Sequence, residues 1–166
     1  MFDKFETPRE LFAYKLGSAL KMEDVVLETL GKLEERAQSE ELKGQFRHHA
    51  AETRQQIANL KQVFATLDER PDEKPCPVMH AISLEAAVNI KRTKPELVDS
   101  VILAAAAETE HHEIAVYEWL MCEAEAMENQ EAVRLLQENL EQEQHTLNEI
   151  RQATRTITRD STAKAA

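Results

Sequence analysis

With 166 residues, 42% of them hydrophobic, the chain is sized for one domain that buries a core of its own. Its net charge of −11 excludes the basic patches that phosphate recognition needs, so no nucleic-acid partner is expected, and the acidity suits cation capture. With only three Gly and five Pro, abundant Ala, Glu, Leu and Gln, and no alternating β-branched run, the composition predicts an all-α fold.

The first helix is expected from Thr7 to about Gln38, with Thr7 as cap, Pro8 in the first turn and Glu10 completing a capping box. Its apolar steps are Leu16, Leu20, Leu27 and Leu30, and the missing rung between Leu20 and Leu27 is Glu23. Gly17 and Gly31 each cost the helix about 1 kcal/mol relative to Ala, which favours close packing as their reason. A second helix follows Ser39 and reaches about Glu69, with a stripe of Leu42, Phe46, His49, Thr53, Gln56, Leu60, Val63 and Leu67. Glu52 lies three residues after His49, so imidazole and carboxylate occupy neighbouring turns of one face.

Pro71, Pro75 and Pro77 interrupt the helical pattern, and a short helix from Val78 to Ile90, with Met79, Ile82, Ala86 and Ile90 on its apolar face, is expected as a crossover. The third long helix starts at Lys94, Pro95 and Glu96 and ends near Glu128 and Asn129. Its stripe runs Leu103, Ala106, Glu110, Glu113, Tyr117 and Leu120, which places two carboxylates on a buried face. The fourth, about Gln130 to Thr158, has the steps Val133, Leu136, Leu140, Glu143, Leu147 and Ile150. Residues 1–158 therefore read as one four-helix bundle, with 159–166 as a frayed polar tail.

Every long helix thus carries an acid at mid-height of its inward face, with no Lys or Arg on the stripes to compensate it. A buried carboxylate costs several kcal/mol unless paired, protonated or bound to metal. Glu23, Glu52, Glu110, Glu113 and Glu143 with His49 reproduce the chemistry of a carboxylate-bridged dinuclear site, in which two divalent cations neutralise four carboxylates. Oxygen donors plus imidazole suit iron or manganese. Taken singly, each glutamate could instead reach the bundle edge or stay protonated, and His49 could be a hydrogen-bonded core histidine. His48, His111, His112 and His145 fall off the stripes, and Glu108 with His112 and Glu141 with His145 are expected to form helix pairs. Cys76 and Cys122 lack metal-type spacing, and neither a signal segment nor an apolar run of roughly 20 residues is present, so a cytoplasmic protein without a membrane partner is expected.

The chain also resembles the bacterial YciE/YciF proteins of the ferritin-like superfamily, along nearly its whole length. The resemblance rests on Glu10, Leu11 and Phe12, on Met22 and Glu23, on Phe46 through Thr53 with Gln56, on Cys76 with Met79, on Glu110 through Ala115 with Tyr117, and on Leu136 through Glu143. It implies a ferritin-like four-helix bundle with a dinuclear metal site, a stress-associated cytoplasmic role, homodimers, and a ferroxidase-like or peroxide-related activity with dioxygen or peroxide as oxidant. Glu85 matches a family glutamate on the crossover. The superfamily commonly carries Glu-x-x-His on two helices, whereas this chain has His49 before Glu52 and Thr146 three residues after Glu143. A non-enzymatic metal-binding or interaction bundle is the alternative.

Overall fold

The computed structural model describes residues 4–165, with side chains described through residue 159. It contains five α-helices and, among the described residues, no strand: α1 (Pro8–Arg36), α2 (Glu40–Thr66), α3 (Pro77–Arg92), α4 (Val98–Ala126) and α5 (Gln130–Ala165), with a 3-10 turn at Pro95–Leu97 ahead of α4.

The capping box that starts α1 is complete. Thr7 Oγ1 accepts from the Glu10 amide at 3.2 Å, and the Glu10 carboxylate accepts from the Thr7 amide at 3.3 Å. The helix ends at Arg36 instead of Gln38, because Ala37 turns to φ −56°, ψ 141°. Asp99, at the start of α4, takes the freed amides of Gln38 and Ser39 at 2.7 and 3.0 Å. Ser39 then caps α2 by accepting from the Leu42 amide at 3.3 Å. That helix stops at Thr66, short of Glu69, as Asp68 takes a positive φ of 58° and Arg9 donates to the Leu67 carbonyl.

The proline-rich segment after α2 lies on α1. The Lys74 amide donates to the Gly17 carbonyl at 3.0 Å, and a Cβ on Gly17 would come within 2.2 Å of the Asp72 carbonyl oxygen. The close packing expected at Gly17 is therefore present, whereas a Cβ on Gly31 would meet nothing within 4 Å. Helix α3 begins one residue before, and ends two after, its expected bounds. Between α4 and α5, Asn129 supplies the cap, accepting from the Ala132 amide at 3.1 Å while donating to Thr66 at 2.7 Å. Helix α5 continues past Thr158 to Ala165, and Ala166 lies outside the described residues.

Helix α1 packs chiefly on α2 and α4 chiefly on α5; contacts of α2 with α5 and of α1 with α4 close the arrangement, and α3 lies across α4 and α1. The short α1–α2 and α4–α5 connections make each pair a helical hairpin. The core they share includes Phe12, Leu16, Met22, Leu60, Leu120 and Leu136. Two expected rungs shift by one position: Leu27 and Val133 are only half-buried, and Val26 and Ala132 point inward in their place. A helix advances about 100° per residue, so a strict seven-residue step drifts off the buried face within a few turns.

Candidate metal centre

At mid-height the apolar core gives way to a polar layer. Glu23 comes from α1, His49, Thr53, Gln56 and Asn59 from α2, Glu110 and Glu113 from α4, and Asn139, Glu143 and Thr146 from α5, all of them buried. Each sits at a three- or four-residue step from a buried residue of its own helix, so the periodicity that buries the leucines buries these groups too.

His49, Glu110, Glu113 and Glu143 each offer a ligand atom, and those atoms lie within 4.8 Å of one another. His49 Nε2 stands 3.6 Å from Glu110 Oε1. Its other nitrogen, Nδ1, is 3.2 Å from the Thr146 hydroxyl, and this contact fixes the ring plane. Glu110 and Glu113 project together because three residues separate them on α4. Glu143 enters from the facing α5.

Glu23 borders this group. Its Oε1 accepts a hydrogen bond from the Tyr117 hydroxyl, leaving Oε2 buried without a partner. Behind Tyr117 an amide chain runs outward: Asn139 Nδ2 donates to the tyrosine oxygen at 3.1 Å, Asn59 Nδ2 to Asn139 Oδ1 at 2.8 Å, and Gln55 Nε2 to Asn59 Oδ1 at 2.9 Å. Each amide therefore spends a donor pointing inward, so Tyr117 is held as the donor to Glu23. Asn59, Asn139 and Thr146 join the centre beyond the residues that the stripes single out. The signal was present, because Asn139 precedes Glu143 by four residues and Thr146 follows it by three.

Glu52 stands apart from the buried set. Its side chain is partly exposed, with Oε1 3.4 Å from His48 Nε2 and Oε2 3.7 Å from His49 Nδ1, so one carboxylate spans a surface imidazole and a buried one. Glu85 is exposed on α3 beside Asn89 and Arg92, away from the centre. The helix pairs expected for His112 and His145 differ in partner. His112 Nε2 lies 3.9 Å from Cys76 Sγ, and His145 Nε2 lies 3.6 Å from Glu149 Oε1, while Glu141 accepts from Gln137.

Burial raises the affinity of Glu23, Glu110 and Glu113 for protons well above the usual carboxylate range, and the neighbouring Glu143 charge raises it further. Glu143 is itself raised, chiefly by burial, against the pull of His49. Tyr117 is pushed up by burial and by the Glu23 carboxylate it faces. Glu52 moves the other way, because the imidazole of His49 beside it, and that of His48, favour its charged form.

No Lys or Arg is buried among the described residues, so none of them balances ionised carboxylates at this level. Glu23 Oε2, Glu110 Oε2, both oxygens of Glu113 and of Glu143, and His49 Nε2 are all buried without a hydrogen-bond partner. Buried polar atoms are nearly always satisfied. Unpaired acceptors converging from four helices match the donor set of divalent cations that prefer oxygen and imidazole, so the residues present fit a metal centre. No described helix is long and apolar enough to cross a membrane.

Comparison with known proteins places this geometry in context. Residues 7–163 match the model of DUF892, a domain of unknown function. The chain is 32% identical to protein YciF of Escherichia coli K12 over 143 residues, 85% of this chain and 86% of that protein. Its fold superposes on the crystal structure of the E. coli stress protein YciF with a TM-score of 0.88 at 28% identity, covering 93% of this chain and 99% of the other. YcfI of Rhodopseudomonas palustris gives a TM-score of 0.88 at 29% identity over 91% of this chain and 98% of its own. A Xanthomonas campestris protein shares the fold, with a TM-score of 0.76 at 20% identity over 96% of this chain and 99% of its own.

Proposed function

This chain belongs to the YciF-like DUF892 family, and from that premise we propose that it is a ferritin-like dinuclear carboxylate protein that oxidises ferrous iron with dioxygen or peroxide. In this reading α1, α2, α4 and α5 form a four-helix bundle, and α3 is the crossover helix between its second and third members. One observation carries the proposal: the unpartnered oxygens of Glu23, Glu110, Glu113 and Glu143 converge with His49 Nε2 in a layer that holds no buried cation of the protein's own. Two divalent ions, iron by preference and manganese as the alternative, would offset that charge.

Ferrous iron is the electron source: two ions lose one electron each, and dioxygen with two protons becomes hydrogen peroxide, or peroxide with two protons becomes two waters. The protein's own groups hold the site ready. Thr146 orients His49 so that Nε2 faces Glu110. Tyr117 occupies one oxygen of Glu23 and leaves the other for metal. Glu110, Glu113 and Glu143 would complete the inner donors, and Glu52, partly exposed beside two imidazoles, would be the outermost ligand. The surrounding core keeps bulk water from the layer. A cytoplasmic homodimer with a stress-protective role completes the proposal, the last part following from the description of the E. coli relative as a stress protein.

The test uses metal-free protein titrated anaerobically with ferrous iron and then exposed to either oxidant. We expect about two irons bound per chain and oxidation faster than that of free iron in buffer. Joint replacement Glu110→Ala and Glu113→Ala should abolish both. Binding without any acceleration would leave a non-enzymatic metal-binding bundle, and failure to bind iron or manganese would remove the metal reading altogether.

A further inference from the structure

Three contacts make a continuous series of donor atoms from the surface of α2 into the acidic layer. His48 Nε2 stands 3.4 Å from Glu52 Oε1, Glu52 Oε2 stands 3.7 Å from His49 Nδ1, and across that ring His49 Nε2 stands 3.6 Å from Glu110 Oε1. Along the series the side chains pass from 66% exposed at His48, through 18% at Glu52, to 5% and 3% at His49 and Glu110, so its outer end meets solvent and its inner end does not. The inner end is unsatisfied, since His49 Nε2 and Glu110 Oε2 are buried without a hydrogen-bond partner.

All four residues line one cavity, together with the half-exposed Glu149 of α5 and the polar side chains of Gln45, Thr109 and Thr146. Among the described residues that line it there is no Lys or Arg, and its three carboxyl groups are those of Glu52, Glu110 and Glu149. Such a lining repels anions and attracts cations, and the apolar side chains between the polar ones focus the field along the cavity. A cation moving inward loses hydration water and tolerates the loss only where protein atoms replace it. With ligand bonds of about 2.0–2.2 Å, one ion can touch both members of each of the three pairs, so every step inward offers a new donor before the last is given up.

We propose that this cavity is the passage by which divalent cations enter the centre, with His48 and Glu149 capturing the ion at the rim and Glu52 passing it to His49 and Glu110. The proposal rests on the metal reading above and deepens it by assigning the route and the residues that set the rate of filling.

The test follows metal association with the full, metal-free chain in a stopped-flow, using manganous ion and, without oxidant, ferrous ion, each reported by a weak fluorescent chelator. At low ionic strength Glu149→Gln and His48→Ala should each slow association by roughly threefold to tenfold while the amount of metal bound at saturation stays that of wild type. Added salt should narrow the gap between Glu149→Gln and wild type, because it screens the charge at the rim. Glu118→Gln removes an equal charge from an exposed position on α4 outside the cavity and should leave the rate unchanged. Ala106→Leu, which enlarges a side chain of the cavity wall, should slow filling at every salt concentration. Wild-type rates in both rim variants overturn the passage, as does an equal slowing by Glu118→Gln. A lower amount bound at saturation in either rim variant also overturns it, since the residue would then be a ligand of the centre. A wild-type chain that takes up neither ion removes the metal reading itself, whereas uptake at rates indifferent to the rim removes the passage alone.

Discussion

Replacing Glu143 by leucine separates a metal centre from a merely unusual core, because the two readings predict opposite signs. Glu143 is fully buried, none of its oxygens has a hydrogen-bond partner, and its charge disfavours ionisation of Glu23, Glu110 and Glu113. In metal-free protein, Glu143→Leu removes that repulsion and buries an apolar side chain of similar size, and such replacements of buried ionic groups are neutral or stabilising by about 1–4 kcal/mol. A gain of about 2 kcal/mol raises the Tm of a chain this long by roughly 4–8 °C. With metal present the sign reverses. Wild type at a hundredfold excess over Kd gains about 2.7 kcal/mol by mass action, a gain that the variant, lacking a donor, should lose in large part. Thermal melts in chelator and in excess ferrous or manganous ion, with elemental analysis of the dialysed proteins, measure both effects. A variant that keeps wild-type metal content removes Glu143 from the site. A variant less stable than wild type in chelator refutes the account of the metal-free core as an electrostatically strained layer.

Tyr117→Phe leaves Glu23 Oε1 without its donor and deprives Asn139 Nδ2 of an acceptor, so denaturant titration should show a loss of about 1–3 kcal/mol, together with weaker metal binding by calorimetry. Metal-free protein should lose stability as pH rises. Glu23, Glu110, Glu113 and Glu143 hold protons more tightly when folded than when unfolded, so their contribution is complete below the ordinary carboxylate range and is lost upward through the raised folded values. Each retained proton gives a slope of about 1.4 kcal/mol per pH unit, readable from urea midpoints across a pH series, and a midpoint that rises with pH from 5 to 8 would contradict it. The glycines of α1 should respond oppositely to alanine: Gly17→Ala drives a Cβ into the Asp72 carbonyl and should cost about 1–3 kcal/mol, whereas Gly31→Ala meets open space and should gain about 1 kcal/mol from helix propensity, both measured by chemical denaturation.

The sequence by itself determined the helices and the faces they bury. Caps and breakers are local: Thr7 with Glu10, Ser39, and the proline run from Pro71 to Pro77 act within a few residues of where they stand, so they are legible without any tertiary knowledge. The stripes are equally local, and they placed Glu23, His49, Glu110, Glu113 and Glu143 on inward faces because an inward face is a matter of period. The last turns of α1 and α2 were less legible, since Arg36 and Thr66 become helix ends through Asp99, Arg9 and Asn129, partners remote in the chain. Tertiary structure alone decided which inward groups meet. Glu52 shares the edge of the stripe with His49, yet it faces His48 and solvent, because α2 is rotated to aim His49 at Glu110. Tyr117, which periodicity marks only as buried, becomes the donor that orients Glu23 across the interface of α1 and α4. Period fixes the direction in which a side chain leaves its helix. The distance to a group on another helix depends on how the two helices are rotated and shifted against each other, and that is set by the packing of the whole core.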